Sequence, residues 1–393
     1  MSTNQIPTRE QLVRRAAELV PTLRKHAPWA EENRRLHDDA VAALKDAGMF
    51  RLRSPKRYGG YEADTRTLVE VASELGRADG SASWVTSVYW IPTWMACQFP
   101  DSVQDEIFSK DDATVCGTLS PSAMAKPVDG GVVVTGKWGF ISGALHSDWQ
   151  EIIAILTPKD GEPYPIMGLV PLSDLLIVDD WHVVGLKGSG SVSTVAQDVF
   201  IPQERIMPLP VPLAGDSMSE TNGDAAIYRP PLLPVACASS VGTAIGLARA
   251  AREVFFKRLP DRKITYTEYA KQQDAPITHL QVADASQKIE RAEWHAHRLA
   301  GLVDAKGEEG SQWKLEERAQ CRGDLGAVCR LAKEAVDIFR MASGGSSVYT
   351  DVPMHRIAAD IQAINLHALM NPNTNAELYG RVLCGLQPNT LYI

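Results

Sequence analysis

At 393 residues, with 45% hydrophobic and 22% charged side chains, the chain has the composition of a folded globular protein and is too long for one ordinary core. Its net charge of −8 excludes a nucleic-acid backbone as partner, because neutralising phosphates needs a basic surface. No apolar run approaches the ~20 residues that span a bilayer, and Met1 to Pro7 lack the basic and apolar regions of a signal peptide, so a cytoplasmic protein away from membranes is expected. Cysteines at 97, 116, 237, 321, 329 and 384 form no CxxC pair and have no histidine at ligand spacing. They read as buried thiols of a reducing compartment, with no metal site.

Thr8 with Gln11 makes a capping box that opens a helix to about His26. A second helix is expected from Trp29 to Ala47, stopped by Gly48. Tyr58-Gly59-Gly60-Tyr61 reads as a turn, and Asp64 as the cap of a helix to Arg77. Asp79-Gly80-Ser81 breaks the chain again. Ala82 to Phe99 is a nearly uncharged helix rich in aromatics (Trp84, Tyr89, Trp90, Trp94), which must be buried or line a pocket. Asp101 caps a short helix to Phe108.

From Ala113 the texture turns to short β-type runs at 114–118, 132–140, 151–157, 166–171, 176–182 and 194–201, separated by Gly- and Asp-rich turns. Six strands at this spacing imply a small β-barrel or sandwich. The Pro-rich stretch from Pro202 to Pro212 and the polar run to Asp224 read as a linker. Long helices follow at 232–259, 274–305 and 312–342, with a shorter one from Asn375 to Leu383, as in a helical bundle. The expected architecture is therefore α+β: an N-terminal α-helical domain over 1–112, a middle β domain over 113–225 and a C-terminal helical bundle over 226–393.

Between the last long helix and the C-terminus lie Gly344-Gly345 and a helix opened after Pro353 and closed before Pro372. On it Arg356, Asp360, Ala363 and His367 fall at i, i+4, i+7 and i+11, which puts a cation, an anion and an imidazole on one face beside the apolar Ile357, Ile361, Ile364 and Leu366. Taken alone, that pattern reads as a surface ion pair with a hydrogen-bonded histidine.

The order of domains and four local motifs resemble the acyl-CoA dehydrogenase fold. The motifs are Tyr58-Gly59-Gly60, the run from Gly136 through Trp138 to Ser142-Gly143, Gly185 to Gly190, and Gly344-Gly345 followed by Val352-Pro353 with Arg356 and Asp360. Within that fold, Glu74 to Trp84 and Asn371 to Gly380 are similar to the oxygenase components of two-component flavin-dependent monooxygenases. An acyl-CoA dehydrogenase needs a carboxylate base. The resemblance places that base near Ala368, where no acid stands between Asp360 and Glu377, or early in the first bundle helix, where none stands between Asp224 and Glu253. His367 occupies the first position instead.

The resemblance implies reduced flavin (FMN or FAD) reacting with O2 to a C4a-hydroperoxyflavin that hydroxylates a small aromatic molecule, phenolic, polycyclic or indolic. Such chemistry needs a dry pocket with one or two fixed hydrogen-bonding groups. His367 would orient the peroxide or withdraw a phenolic proton, and Ser142 would meet flavin N5. Trp138 would shield one face of the ring, against the alternative of a core tryptophan. Thr118 and Ser120 would border its pyrimidine edge. Arg262 would meet phosphate, and Ser343, Gly344 and Gly345 would reach a neighbouring subunit's cofactor. Trp84, Tyr89 and Trp90 would form the substrate pocket, or plain core. No GxGxxG follows a strand and opens a helix, so electrons would come from a separate NAD(P)H:flavin reductase. The fold's relatives imply a homotetramer. Oxidation of nitrogen or sulfur, an acyl-CoA dehydrogenase with its base elsewhere, and a non-catalytic relative of the flavin fold remain as alternatives.

Overall fold

The computed structural model describes residues 6–393, apart from the side chain of Asp224. α1 (Arg9–Glu18) opens on the expected box: Thr8 Oγ1 accepts from the Gln11 N–H, and Gln11 Oε1 from the Thr8 N–H. The helix expected to run to His26 is divided at Leu19, and α2 (Val20–Asn33) carries Pro21 as its second residue, without an N–H to continue the ladder. α2 stops where Arg34 turns left-handed at φ 56°. The expected helix from Trp29 to Ala47 is thus the end of α2 plus a separate α3 (Asp38–Asp46), capped by His37 Nδ1.

α4 (Thr65–Ala78) starts on Asp64, whose carboxylate accepts from the Thr67 N–H. Only Asp79 separates it from α5 (Gly80–Ala96), and Asp79 caps α5 by accepting from the Ala82 N–H. The expected break is therefore a cap. α6 (Asp101–Ile107) contains Asp101 as its first residue and not as its cap; that carboxylate meets Arg57, Ser219 and Thr221.

The β region is one seven-stranded sheet: β1 (Val115–Val128), β2 (Gly131–Ile141), β3 (Trp149–Leu156), β4 (Tyr164–Pro171), β5 (Leu176–Val178), β6 (Val192–Pro202) and β7 (Ile206–Pro208). Its order is β5-β6-β2-β1-β3-β4-β7, all antiparallel except the β1–β3 pair. The sheet curls until β4 faces β6: a Cβ on Gly168 would lie 3.2 Å from Ile201 Cδ1. The expected barrel or sandwich is thus a single curled sheet, open between its edge strands. The stretch expected as a linker carries β7 and α7 (Pro210–Ala214).

The C-terminal helices are α8 (Leu232–Arg258), α9 (Pro276–Glu309), α10 (Leu315–Ala342), α11 (Met354–Leu366) and α12 (Pro372–Leu383). α8 crosses α4 at a notch of three glycines. A Cβ on Gly246 would lie 2.4 Å from Ser73 O, one on Gly242 2.5 Å from Val69 O, and one on Gly76 2.9 Å from Thr243 O. That close approach locks the first helical region onto the last. The stretch Leu232–Asp261 is long and apolar enough to cross a membrane by length and composition, contrary to the expectation that no run comes near. Its most apolar 18-residue window is 94% buried, packed against α4, α5, α9 and α10, as in the core helix of a bundle. Five cysteines are buried, whereas Cys384 is exposed.

Candidate active site

α11 ends one residue short of His367. The ladder stops because His367 takes φ −64°, ψ 137° as the C-cap, and its carbonyl then accepts from the Met370 and Asn371 N–H groups. The histidine therefore leaves the face shared by Arg356, Asp360 and Ala363, and Leu366 is exposed instead of completing the apolar stripe. His367 Nδ1 accepts from the Leu369 N–H at 3.2 Å, so the neutral ring carries its proton on Nε2. His367 is exposed on this chain, yet the protein packed around its ring desolvates it and lowers its pKa to about 4. Trp84 of α5 meets it edge-on, with ring centroids 5.2 Å apart.

Trp84 joins the histidine to the sheet. Its indole N–H donates to Ser142 Oγ at 3.1 Å. Ser142 Oγ in turn lies 2.7 Å from Ser191 Oγ, Ser191 Oγ lies 2.7 Å from Ser189 Oγ, and Ser189 donates to Leu186 O at 2.7 Å. Three of the expected residues, His367, Trp84 and Ser142, thus form one continuous group.

Other expected residues stand elsewhere. Tyr89 OH donates to Gly143 O at 2.6 Å; it props the Ser142-Gly143 turn, where Gly143 sits at φ 75° with the Tyr89 ring filling the place of a Cβ. Trp90 is fully buried and donates to Met49 O. Both are core, not pocket lining. Trp138 is likewise the core tryptophan: it is 0% exposed, inside the curl of the sheet, with its N–H on Ile153 O at 2.9 Å. The aromatic beside Ser142 that faces outward is Phe140, 71% exposed at φ 62° and in edge contact with Trp181. The β2–β6 register shifts between Trp138 and Ile141, and a bulge of this kind re-aims the side chains that follow it.

The middle of α11 is tied down by buried acids. Asp360 Oδ1 accepts from the Leu186 N–H at 2.6 Å. Gly185 lies so close to the helix that a Cβ would be 2.2 Å from Ala359 O. Arg356 pairs with Asp79 and Glu31, at 4.0 and 3.9 Å, and not with Asp360, so the spacing-based ion pair is absent among the described residues. Burial first, and then the nearby Asp79, push the Asp360 pKa up to about 8. Because the folded value lies above the unfolded one, the stabilising contribution is complete below about pH 4 and is lost as pH rises through about 8. Asp360→Asn keeps the acceptor for Leu186 and cannot ionise. Its stability relative to wild type should therefore improve by a few kcal/mol, at most, between about pH 4 and pH 8. Urea melts across that range check this, with Asp79 titrating as part of the same pair.

A second cluster lies where α8 ends. Arg258 and Arg262 both donate to Ser346 Oγ, at 2.8 and 2.9 Å, while Arg262 Nε is held by Gln272. Neither guanidinium pairs with a carboxylate among the described residues, and burial together with Arg258 lowers the Arg262 pKa. Arg258 Nη1 and Ser343 Oγ are buried without a partner. Gly344, at φ 61°, leaves Arg262 Nη2 only 2.8 Å from where a Cβ would stand, whereas Gly345 has open space. Lys257 and Lys263 line the same recess of about 520 Å³. Asp261 lines it too, so four cations face one carboxylate and the recess is cationic, a chemistry that suits an anion. Arg258 escaped the sequence reading, although its spacing from Arg262 across a helix end was the available signal.

Thr118 is half-buried on β1, and Ser120 is exposed, bonded to Ser122. Beneath them lies Glu151 of β3, wholly buried, facing the Thr118 N–H without a hydrogen bond of good geometry, its pKa pushed well up by burial. Tyr392 of the C-terminal tail reaches over this strand to donate to Leu119 O at 2.7 Å. His26, His37 and Asp39 bring three possible metal ligands together, but His37 Nδ1 already accepts from the Asp39 N–H.

Comparison with known proteins agrees with this geometry. Residues 7–104 match the model of the acyl-CoA dehydrogenase N-terminal domain, and residues 238–372 that of the acyl-CoA dehydrogenase C-terminal domain. The chain is 29% identical over 393 residues to the oxygenase component of an FADH(2)-dependent resorcinol hydroxylase from Rhizobium sp. (strain MTP-10005), covering 97% of this chain and 96% of that one. It is also 29% identical to the flavin-dependent monooxygenase oxygenase subunit HsaA of Rhodococcus jostii, covering 94% and 97%. Among solved structures, XiaF from Streptomyces sp. in complex with FADH2 and glycerol superposes with a TM-score of 0.91 at 29% identity, covering 97% of each chain. By its fold, its two matched domains and these relatives, the chain belongs to the acyl-CoA dehydrogenase fold superfamily, among the oxygenase components of two-component flavin-dependent monooxygenases.

Proposed function

We propose that the chain works in the cytoplasm as a homotetrameric oxygenase, taking reduced FMN or FAD from a separate NAD(P)H:flavin reductase and hydroxylating a small phenolic, polycyclic or indolic molecule with O2. The observation that carries this reading is the group His367–Trp84–Ser142: a neutral imidazole and a fixed hydroxyl, bridged by one indole, with no carboxylate bonded to any of the three among the described residues. Bound there, reduced flavin supplies oxygen activation, and the protein supplies binding, orientation and exclusion of water.

The residues fit such a group. Arg258 Nη1 and Ser343 Oγ lack partners at an anion site, which suits a flavin phosphate, and Ser343 to Gly345 would present that site to a neighbouring subunit's cofactor. Thr118 and Ser120 offer backbone and hydroxyl groups for the pyrimidine edge. Among the described residues, Trp84 is the aromatic ring in contact with the histidine.

Of the two roles considered for His367, the bond from Leu369 to Nδ1 favours orientation. Nε2 already carries a proton, so it donates a hydrogen bond toward the reacting oxygen. Withdrawing a phenolic proton would require the opposite tautomer, whose Nδ1–H would face the Leu369 N–H.

An acyl-CoA dehydrogenase would need an ionised base. Asp360 is engaged by Leu186, and Glu151 is enclosed with its pKa pushed well up. The two readings separate in one titration. Under anaerobic conditions the oxygenase binds reduced flavin more tightly than oxidised flavin and shows no bleaching with acyl-CoA; a yellow protein bleached by acyl-CoA would establish the dehydrogenase.

A further inference from the structure

The serine chain behind Ser142 has a direction. Each hydroxyl owns one proton, and a carbonyl owns none. The 2.7 Å contact between Ser189 Oγ and Leu186 O must therefore hold the Ser189 proton. With that proton committed, the 2.7 Å contact between Ser189 and Ser191 must hold the proton of Ser191. The 2.7 Å contact between Ser191 and Ser142 must then hold the proton of Ser142. From the other side the Trp84 N–H can only donate, at 3.1 Å, to Ser142 Oγ. All three serines are buried, at 5%, 2% and 4% exposure for Ser142, Ser189 and Ser191, so water does not compete for these protons.

Ser142 therefore has no proton to offer; what remains on its oxygen is a lone pair. We infer that Ser189 and Ser191 orient Ser142 as an obligate hydrogen-bond acceptor, so that the site selects reduced flavin, which carries N5–H, over oxidised flavin, whose N5 presents a lone pair. The inference rests on the proposed pairing of Ser142 with N5. Ser189 and Ser191 touch no cofactor and are positioning residues. Two lone pairs meeting in a dry site cost about as much as an unmade hydrogen bond, whereas the reduced ring makes the bond.

The test is the ratio of Kd for oxidised to Kd for reduced flavin, measured anaerobically by titration, without turnover. In Ser191→Ala the Ser142 proton is released and can be donated to oxidised N5, so the ratio should fall by roughly 5- to 20-fold, mostly through tighter binding of oxidised flavin. Ser189→Ala should act alike although two hydroxyls removed, because Ser191 then turns its proton onto Ser142. Ser191→Thr restores the hydroxyl and should restore the ratio. If Ser191→Ala does not fold, Ser189→Ala and Ser191→Thr carry the test. An unchanged ratio in Ser189→Ala and Ser191→Ala, with a changed ratio in Ser142→Ala, would overturn the orienting chain and leave the Ser142 pairing intact. An unchanged ratio in Ser142→Ala would show that Ser142 does not meet N5, and the pairing itself would fall.

Discussion

His367→Ala should cost hydroxylated product about 10²- to 10³-fold, the range for losing one pre-aimed donor in a water-poor site, while reduced flavin binds within about threefold of wild type. The asymmetry follows from where the ring sits. Its Nδ1 is occupied by the Leu369 N–H and Trp84 packs against the ring, so the Nε2–H is the group left to donate. On the proposed reading the flavin's phosphate is held elsewhere, by Arg258 and Arg262, and its affinity should be indifferent to the imidazole. His367→Gln, which can offer an N–H from nearly the same place, should recover part of the loss. The pH dependence has a definite sign. With its pKa lowered to about 4, the ring stays neutral from about pH 5 upward, so titration of His367 should produce no fall in rate between about pH 8 and pH 5, only below that. Product assays and oxygen consumption across this range check both statements.

Removing the guanidiniums should do the reverse. Arg262→Ala is expected to weaken binding of FMN or FAD by about 10- to 100-fold, because each charge-assisted hydrogen bond of this kind contributes about 1.5–3 kcal/mol. Arg258→Ala should behave similarly, and the double variant should fall short of the sum, since both cations share Ser346 Oγ. Riboflavin, which lacks the phosphate, provides the control: its weaker binding should be unchanged in either variant. Raising the salt should weaken the phosphorylated flavins only partially, because the site is half-buried. Equilibrium titration by fluorescence distinguishes these outcomes. A loss equal for riboflavin and FMN would mean that the arginines hold the bundle together and not a phosphate.

The parts of the fold legible in the sequence were those set by local chemistry. The box at Thr8 and Gln11, the cap at Asp64 and the stops before Gly48 and Gly344 are each decided within one turn of chain, and the long periodic helices announced themselves. What escaped depended on partners far away in sequence. Leu19 continues an apolar pattern unbroken, and only Pro21 divides the helix. Trp138 and Phe140, two residues apart, would share one face of a regular strand, and only the register shift against β6 turns Phe140 outward. His367 fits the periodicity of α11, yet lies past its end, because its carbonyl closes the turn leading to Pro372. Asp360 reads as a partner for Arg356 four residues away, whereas Leu186, 174 residues distant, takes it.

The candidate site divides in the same manner. His367 and Ser142 were found by position within a family motif and Trp84 by the aromatic composition of its helix, and the structure brings the three together. Tyr89 and Trp90 shared the composition of a pocket helix, but their polar atoms are spent on Gly143 and Met49. Nothing local marks Ser189 or Ser191 as neighbours of Ser142: a Gly-Ser-Gly-Ser run looks like an ordinary turn. Their connection appears only once β6 is laid beside β2.

The most direct test of the account is a crystal structure of the chain soaked anaerobically with reduced flavin. The isoalloxazine is expected to lie with N5 within about 3.2 Å of Ser142 Oγ and with His367 Nε2 facing its oxygen-reactive carbon beside Trp84. A ring bound beyond hydrogen-bonding reach of Ser142, or with His367 turned to bulk solvent, would contradict the assignment of this group as the place where oxygen is activated.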